Sequence, residues 1–211
     1  MANSRDRSSR RSLAIRAARV VAALLVAAAL CVPVWAADNP RFTRTDVTVD
    51  PPDVTLIDQD GDRVKFRDLL LSDTPVFVDF IYATCTTICP VLSAGYTSIQ
   101  RKLGTDLDRV TLVSISIDPE NDGPEELTAY LEKYRAKPGW EFLTGTRADI
   151  DAVMRSFDAY IPDKMSHRPL IFIRTPSDGS WVRLFGFAGS ADLMAELTRA
   201  SGGAGGTGVQ R

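Results

Sequence analysis

Soft-ligand residues are scarce in this 211-residue chain, which has three cysteines (Cys31, Cys85 and Cys89) and one histidine (His167). That scarcity excludes a disulfide-framework protein. It also excludes a zinc cage in which one chain supplies four cysteines, or two cysteines and two histidines. No internal repeat is present, so a solenoid or propeller is excluded as well. What remains is ordinary: 45% hydrophobic and 25% charged residues, with a formal charge of −2. These values fit a globular domain and rule out collagen-like, coiled-coil or wholly disordered chains. One domain with a real core is expected at this length.

The N-terminal stretch reads as a targeting segment. Arg5, Arg7, Arg10, Arg11, Arg16 and Arg19 stand against a single acid, Asp6, and an uncharged Ala/Val/Leu-rich run follows from Val20 to Ala37. Basic region, apolar run and small-residue exit at Val34-Trp35-Ala36-Ala37 predict a secretory signal over residues 1–37. The alternative is an uncleaved membrane anchor, since the run lies at the short end of a spanning helix. Arg10-Arg11-Ser12-Leu13 adds a weak twin-arginine hint. Cys31 lies inside the run, and Leu30 precedes it where a lipidation site needs a small residue, so it is expected to leave with the signal. Export makes the expected location periplasmic. Removal of residues 1–37 leaves 19 Lys+Arg against 26 Asp+Glu, a formal charge of −7. That acidity argues against nucleic-acid or anionic-membrane partners and favours basic ones.

Beyond the signal, residues 38–53 are polar and read as a loose lead-in. Val54-Thr55-Leu56-Ile57 and Val64-Lys65-Phe66 flank a turn at Asp58–Asp62 and predict a β-hairpin. Pro75–Tyr82 is a nearly continuous apolar run, the pattern of a strand covered on both faces. A helix is predicted from about Pro90, with Leu92, Tyr96, Ile99 and Leu103 on one face. Val110–Ile117 predicts a second buried strand, and Asp122-Gly123-Pro124 starts a helix lined by Leu127, Tyr130, Leu131 and Tyr134. A short strand at Phe142-Leu143 and a helix capped by Thr146 follow, the latter lined by Ile150, Val153, Met154 and Phe157. Leu170–Arg174 and Trp181–Phe185 predict a second hairpin. Ser190 is expected to cap a last helix, and residues 200–211 form a glycine-rich tail expected to be disordered. Alternation of strands and helices implies an α/β domain over 54–199: a thioredoxin-like fold with a central mixed sheet, an N-terminal β-hairpin and helices on both faces.

Chemistry concentrates at Cys85-Thr86-Thr87-Ile88-Cys89-Pro90, at the junction of the buried strand and the following helix. A spacing of four brings both sulfurs to one side if the intervening residues turn helically. A thiol near a helix N-terminus has a stabilised thiolate, which favours nucleophilic attack and metal ligation alike. Two such thiols bind soft Cu(I) or zinc, or close a disulfide. A bridge across so small a loop constrains the unfolded chain by about 2 kcal/mol or less, so a purely structural disulfide is the weaker reading. His167 precedes the strand at Leu170. In a thioredoxin-like sheet that loop lies beside the cysteine turn, so two sulfurs and one imidazole can converge. The set suits copper in either oxidation state, and zinc would accept the same donors.

The chain resembles the Sco/SenC family of copper-binding assembly factors. The resemblance rests on Phe80-Ile81-Tyr82-Ala83-Thr84-Cys85-Thr86-Thr87-Ile88-Cys89-Pro90, on Ser114-Ile115-Ser116-Ile117-Asp118-Pro119-Glu120-Asn121-Asp122, and on the single His167 before a strand. It implies that Cys85, Cys89 and His167 bind copper, as Cu(I) or Cu(II). It also implies a role in loading the CuA centre of cytochrome c oxidase, or in keeping that centre's cysteines reduced. The expected partners are therefore the CuA subunit and a periplasmic copper donor. Met165-Ser166 before His167 departs from the acidic residue more usual in the family.

Two carboxylates need an explanation. Asp79, six residues before Cys85 in an apolar strand, is either satisfied by a buried partner or resembles the buried acid of thioredoxins, which would favour a reductase. Asp118, at the end of the neighbouring strand, is either a partner of the metal ligands or a turn residue before Pro119. The readings in order are copper metallochaperone, thiol–disulfide reductase using Cys85 and Cys89, and a peroxidase-like enzyme supported by fold analogy alone.

Overall fold

The computed structural model describes residues 41–202. The expected signal or anchor with Cys31, and the tail beyond Gly202, lie outside the described residues. Eight strands and five helices follow in order. They are β1 (Phe42–Val47), β2 (Thr55–Ile57), β3 (Arg63–Lys65), α1 (Phe66–Leu70), β4 (Val76–Ile81), α2 (Cys89–Leu103) and β5 (Thr111–Ser116). Then come α3 (Pro124–Lys133), β6 (Trp140–Leu143), α4 (Arg147–Ser156), β7 (Leu170–Arg174), β8 (Trp181–Gly186) and α5 (Ser190–Ala200). Among the described residues no helix is long and apolar enough to cross a membrane.

Six strands form one mixed sheet in the order β1-β8-β7-β4-β5-β6. β4 pairs in parallel with β5 and antiparallel with β7, so it is flanked on both sides, and all six of its residues are buried. That position explains its sequence, apolar except for Asp79. The β2–β3 hairpin stands apart and is tied to the end of β6 by reciprocal 2.8 Å backbone bonds between Ile57 and Thr144.

Each face of the sheet has its own aromatic layer. On one, Tyr96 of α2 meets Trp140 edge-on with centroids 5.4 Å apart, and Tyr130 of α3 meets Phe142 at 5.2 Å. On the other, Phe157 at the end of α4 packs edge-on against Phe80, Phe172 and Trp181 at 5.0–5.5 Å. Burying each such ring contributes on the order of 1.5–3 kcal/mol, and the edge-on contacts add to it. Helices therefore cover both faces of a mixed sheet, a thioredoxin-like arrangement.

Three features differ from the sequence expectation. Residues 42–47 are an edge strand paired antiparallel along all of β8 from Phe42–Gly186 to Val47–Trp181, where a loose lead-in was expected. Its four central residues are exposed and polar, so it carries no apolar signal; the backbone ladder holds it. The short helix α1 was not anticipated. Gly189, rather than Ser190, occupies the cap of α5, because the Asp192 carboxylate reaches back to the Gly189 N–H at 2.8 Å. Thr146 caps α4 as expected, accepting the Asp149 N–H at 3.1 Å.

Asp79 is fully buried on the α2 face of β4, and neither carboxylate oxygen has a hydrogen-bond partner. Burial pushes its pKa up to about 7, opposed only in part by the Ser114 hydroxyl beside it on β5. A folded-state value above the unfolded ~3.9 means that the fold binds this proton more tightly than the unfolded chain. The resulting stability is complete below about pH 4 and is lost as pH rises through about 7.

Two outcomes are expected. Between about pH 4 and pH 8, Asp79→Asn should remove a component of up to about 4 kcal/mol from the pH dependence of urea unfolding; an unchanged profile would refute the buried-acid assignment. At the end of β8, opposite Phe42 at the start of β1, Gly186 has φ +115°, and a Cβ there would sit 2.5 Å from the Arg41 carbonyl oxygen. Gly186→Ala should cost about 1–3 kcal/mol or more in thermal or chemical denaturation, and a neutral result would mean that β1 can detach without penalty.

Candidate metal centre

The cysteine loop leaves the carboxyl end of β4, where ligands bind in open α/β sheets. The Cys85 N–H donates to the Tyr82 carbonyl at 3.1 Å, which folds the chain back on itself. α2 then begins at Cys89 with Pro90 in its first turn, where a missing N–H is no loss. His167 arrives from the other side of the sheet, at the end of a single 3₁₀ turn (Lys164–Ser166) that leads towards β7. The ligand atoms of Cys85, Cys89 and His167 lie within 4.8 Å of one another, and the Cys89 sulfur is 3.6 Å from His167 Nδ1. All three site residues read from the sequence thus converge. Both cysteines are free thiols here.

Polar contacts hold the two loops in register. The buried Asp122 carboxylate accepts the Ala83 N–H at 3.1 Å and the Ser116 hydroxyl at 2.5 Å, pinning the start of the cysteine loop to the end of β5. The Ser116 oxygen in turn accepts the Asp118 N–H at 3.0 Å. Asp118 accepts from the Asn121 amide at 3.0 Å and forms an ion pair with Lys164, at the start of the histidine turn. Asp163 closes that turn by accepting the Met165 N–H at 2.9 Å. Of the two roles considered for Asp118, the structure shows the turn role, its carbonyl accepting the Asn121 and Asp122 N–H groups; its ion pair is with Lys164, three residues before His167, rather than with a ligand.

Tyr82 lies between the loops. Its ring meets the His167 imidazole at 67° with centroids 6.3 Å apart, and Lys164 Nζ sits 5.4 Å above it. Sequence reasoning used Tyr82 and Asp122 only as strand, helix-start and motif residues and gave Lys164 no role. None of the three is distinguishable by residue type, because each acts through a neighbour distant in sequence. Asp79 takes no direct part among the ligands.

Titration behaviour separates the two thiols. Burial opposes the Cys85 thiolate, but hydrogen bonds from the Cys89 thiol and N–H and from Thr87 outweigh it and bring the pKa down to about 7. For Cys89, burial and then the neighbouring Cys85 push the thiol well above its usual value. The pair thus gives up one proton near neutrality and holds the second. Burial pushes the His167 imidazole down to about 4, so it is neutral at pH 7, with Nε2 buried and without a hydrogen-bond partner. A thiolate, a thiol that can lose its proton to a metal and a neutral imidazole form a donor set for a soft or borderline cation, and equally a redox-active dithiol.

When the reduced protein is treated with iodoacetamide across about pH 5–9, Cys85 should alkylate with a midpoint near 7 while Cys89 stays largely unmodified. Peptide mass mapping reads this directly, and equal labelling of the two cysteines at pH 7 would contradict the split.

Comparison with known proteins agrees with this geometry. The SCO1/SenC family model matches residues 44–201. The SCO1 protein homolog of Bacillus subtilis is 32% identical over 130 residues, covering 58% of this chain and 66% of the relative. The mitochondrial SCO1 homolog of Homo sapiens is 26% identical over 136 residues, covering 60% and 44% respectively. The chain thus spans two thirds or less of the length of these relatives. Among solved structures, BsSco, a member of the Sco family of cytochrome c oxidase assembly proteins, superposes with a TM-score of 0.62 at 27% identity, over 76% of this chain and 98% of that one. Bradyrhizobium japonicum ScoI with copper bound gives a TM-score of 0.60 at 29% identity, over 73% and 99%. The protein belongs to the SCO1/SenC family.

Proposed function

We propose that this protein is a periplasmic copper metallochaperone that delivers copper to, or matures, the CuA centre of cytochrome c oxidase. The observation that carries the reading is the convergence of two cysteine sulfurs and one imidazole within 4.8 Å at a strand–helix junction. Thiolates select Cu(I), and the added imidazole extends the set to Cu(II). Three protein ligands leave a position open on a four-coordinate ion, through which a donor or client can exchange it. The copper-bound Bradyrhizobium japonicum relative and the oxidase-assembly role of BsSco support the same direction. The N-terminal signal pattern supports export, which would place the copper donor and the oxidase subunit in the same compartment.

A thiol–disulfide reductase is the second reading, favoured by the low Cys85 pKa. In that chemistry the Cys85 thiolate attacks a client disulfide and displaces one client thiolate. Cys89 then attacks the mixed disulfide, releasing the second client thiol and closing Cys85–Cys89, so that two electrons pass to the client. His167 separates the readings, since the reductase cycle makes no use of it.

Anaerobic titration of the reduced protein with Cu(I), and separately with Cu(II), should show binding near one equivalent, and His167→Ala should weaken Cu(II) binding by at least about tenfold. Absence of near-stoichiometric binding, or affinity indifferent to His167→Ala, would sink the metallochaperone reading. Retained reduction of a CuA-domain disulfide by that variant would then favour the reductase.

A further inference from the structure

Met165 is the most exposed large hydrophobic side chain among the described residues, at 75%. It stands two residues before His167 on a turn that is held at both ends: Asp163 accepts the Met165 N–H, and Lys164 is paired with Asp118. A thioether so exposed gains nothing from burial, yet this one is held in place. Its sulfur lies 3.8 Å from the Tyr82 hydroxyl. The ring of the same tyrosine meets the His167 imidazole edge-on, with centroids 6.3 Å apart. A soft sulfur in solvent and a phenol therefore lead from the surface to the His167 side of the centre.

We propose that Met165 is a transient thioether ligand through which Cu(I) enters and leaves the Cys85–Cys89–His167 centre. The proposal rests on the copper reading above and adds the route to it. A thioether is uncharged, needs no deprotonation and prefers Cu(I) over hard cations. The methionine side chain has three rotatable bonds, so its sulfur can swing from the Tyr82 hydroxyl towards the cysteines without moving the backbone. The Tyr82 hydroxyl, which donates to the Met165 sulfur at 3.8 Å, holds the thioether beside the centre. Transfer inward is ligand exchange. The Cu–thioether bond breaks as Cu–thiolate bonds form, thiol protons leave to solvent, and copper remains Cu(I) throughout.

The test compares the full chain with Met165→Leu, which keeps the apolar cover over Tyr82 and removes the donor. With methionine methyl groups labelled with carbon-13, anaerobic addition of Cu(I) to the reduced protein should move the Met165 methyl resonance and leave that of the buried Met154 in place. In Met165→Leu, the rate of Cu(I) uptake from a chromogenic chelator should fall by at least about tenfold. Equilibrium affinity should change by less than about threefold, or about 0.6 kcal/mol. An unmoved methyl or an unchanged uptake rate, with wild-type protein still binding Cu(I), overturns the Met165 route and leaves the copper reading intact. Affinity falling in step with the rate would make Met165 a permanent ligand and overturns its transient role. Failure of the wild-type protein to bind Cu(I) overturns both.

Discussion

The buried carboxylate of Asp122 accepts the Ala83 amide and the Ser116 hydroxyl, and through them it sets where the cysteine loop leaves the sheet. From there a polar chain runs onward: Ser116 receives the Asp118 amide, Asp118 pairs with Lys164, and Lys164 opens the turn that ends at His167. Cys85 and His167 are far apart in sequence and come from separate loops, one after β4 and one before β7, so their common position depends on this chain of contacts. A buried polar chain of this kind is rigid because the alternative to each bond is an unsatisfied group in a low-dielectric interior. Lys164 is only partly exposed and Asp118 nearly buried, so breaking that pair leaves a carboxylate poorly solvated rather than freely hydrated.

The electrostatics of the centre follow from the same geometry. Cys85, ringed by the exposed Thr84, Thr86 and Thr87, is stabilised as a thiolate by neighbouring donors, while Cys89 is sealed at the start of α2 and keeps its proton. His167 is neutral because its surroundings exclude the water that would solvate an imidazolium. The result is a site with low resident charge and three soft or borderline donors. Asp79 lies in the core below, where its partnerless carboxyl is a cost to stability at neutral pH rather than a support for the ligands.

Much of this was legible in the primary structure. The nearly continuous apolar run at Pro75–Tyr82 marked β4 as doubly covered, and the spacing of Leu92, Tyr96, Ile99 and Leu103 marked α2, because burial writes directly into hydrophobic periodicity. What stayed hidden depends on partners. β1 reads as polar because an edge strand with solvated side chains is held by backbone bonds to β8, and backbone bonds leave no trace in side-chain pattern. The α5 cap fell one residue from Ser190 because Asp192 reaches back to Gly189, and a capping carboxylate outweighs a serine that merely stands nearby.

The sequence by itself determined the donors. With Cys31 in the apolar N-terminal run, Cys85, Cys89 and His167 remained as the cysteine and histidine donors, and the Cys-x-x-x-Cys-Pro spacing put both sulfurs at the junction of strand and helix. Only the tertiary structure decided how those donors are held and used. Asp122, Lys164 and Tyr82 act across the sheet through neighbours remote in the chain, and burial sets which thiol ionises and leaves the imidazole neutral. Proton affinity and loop position depend on what surrounds a group, and those surroundings exist only once the chain has folded.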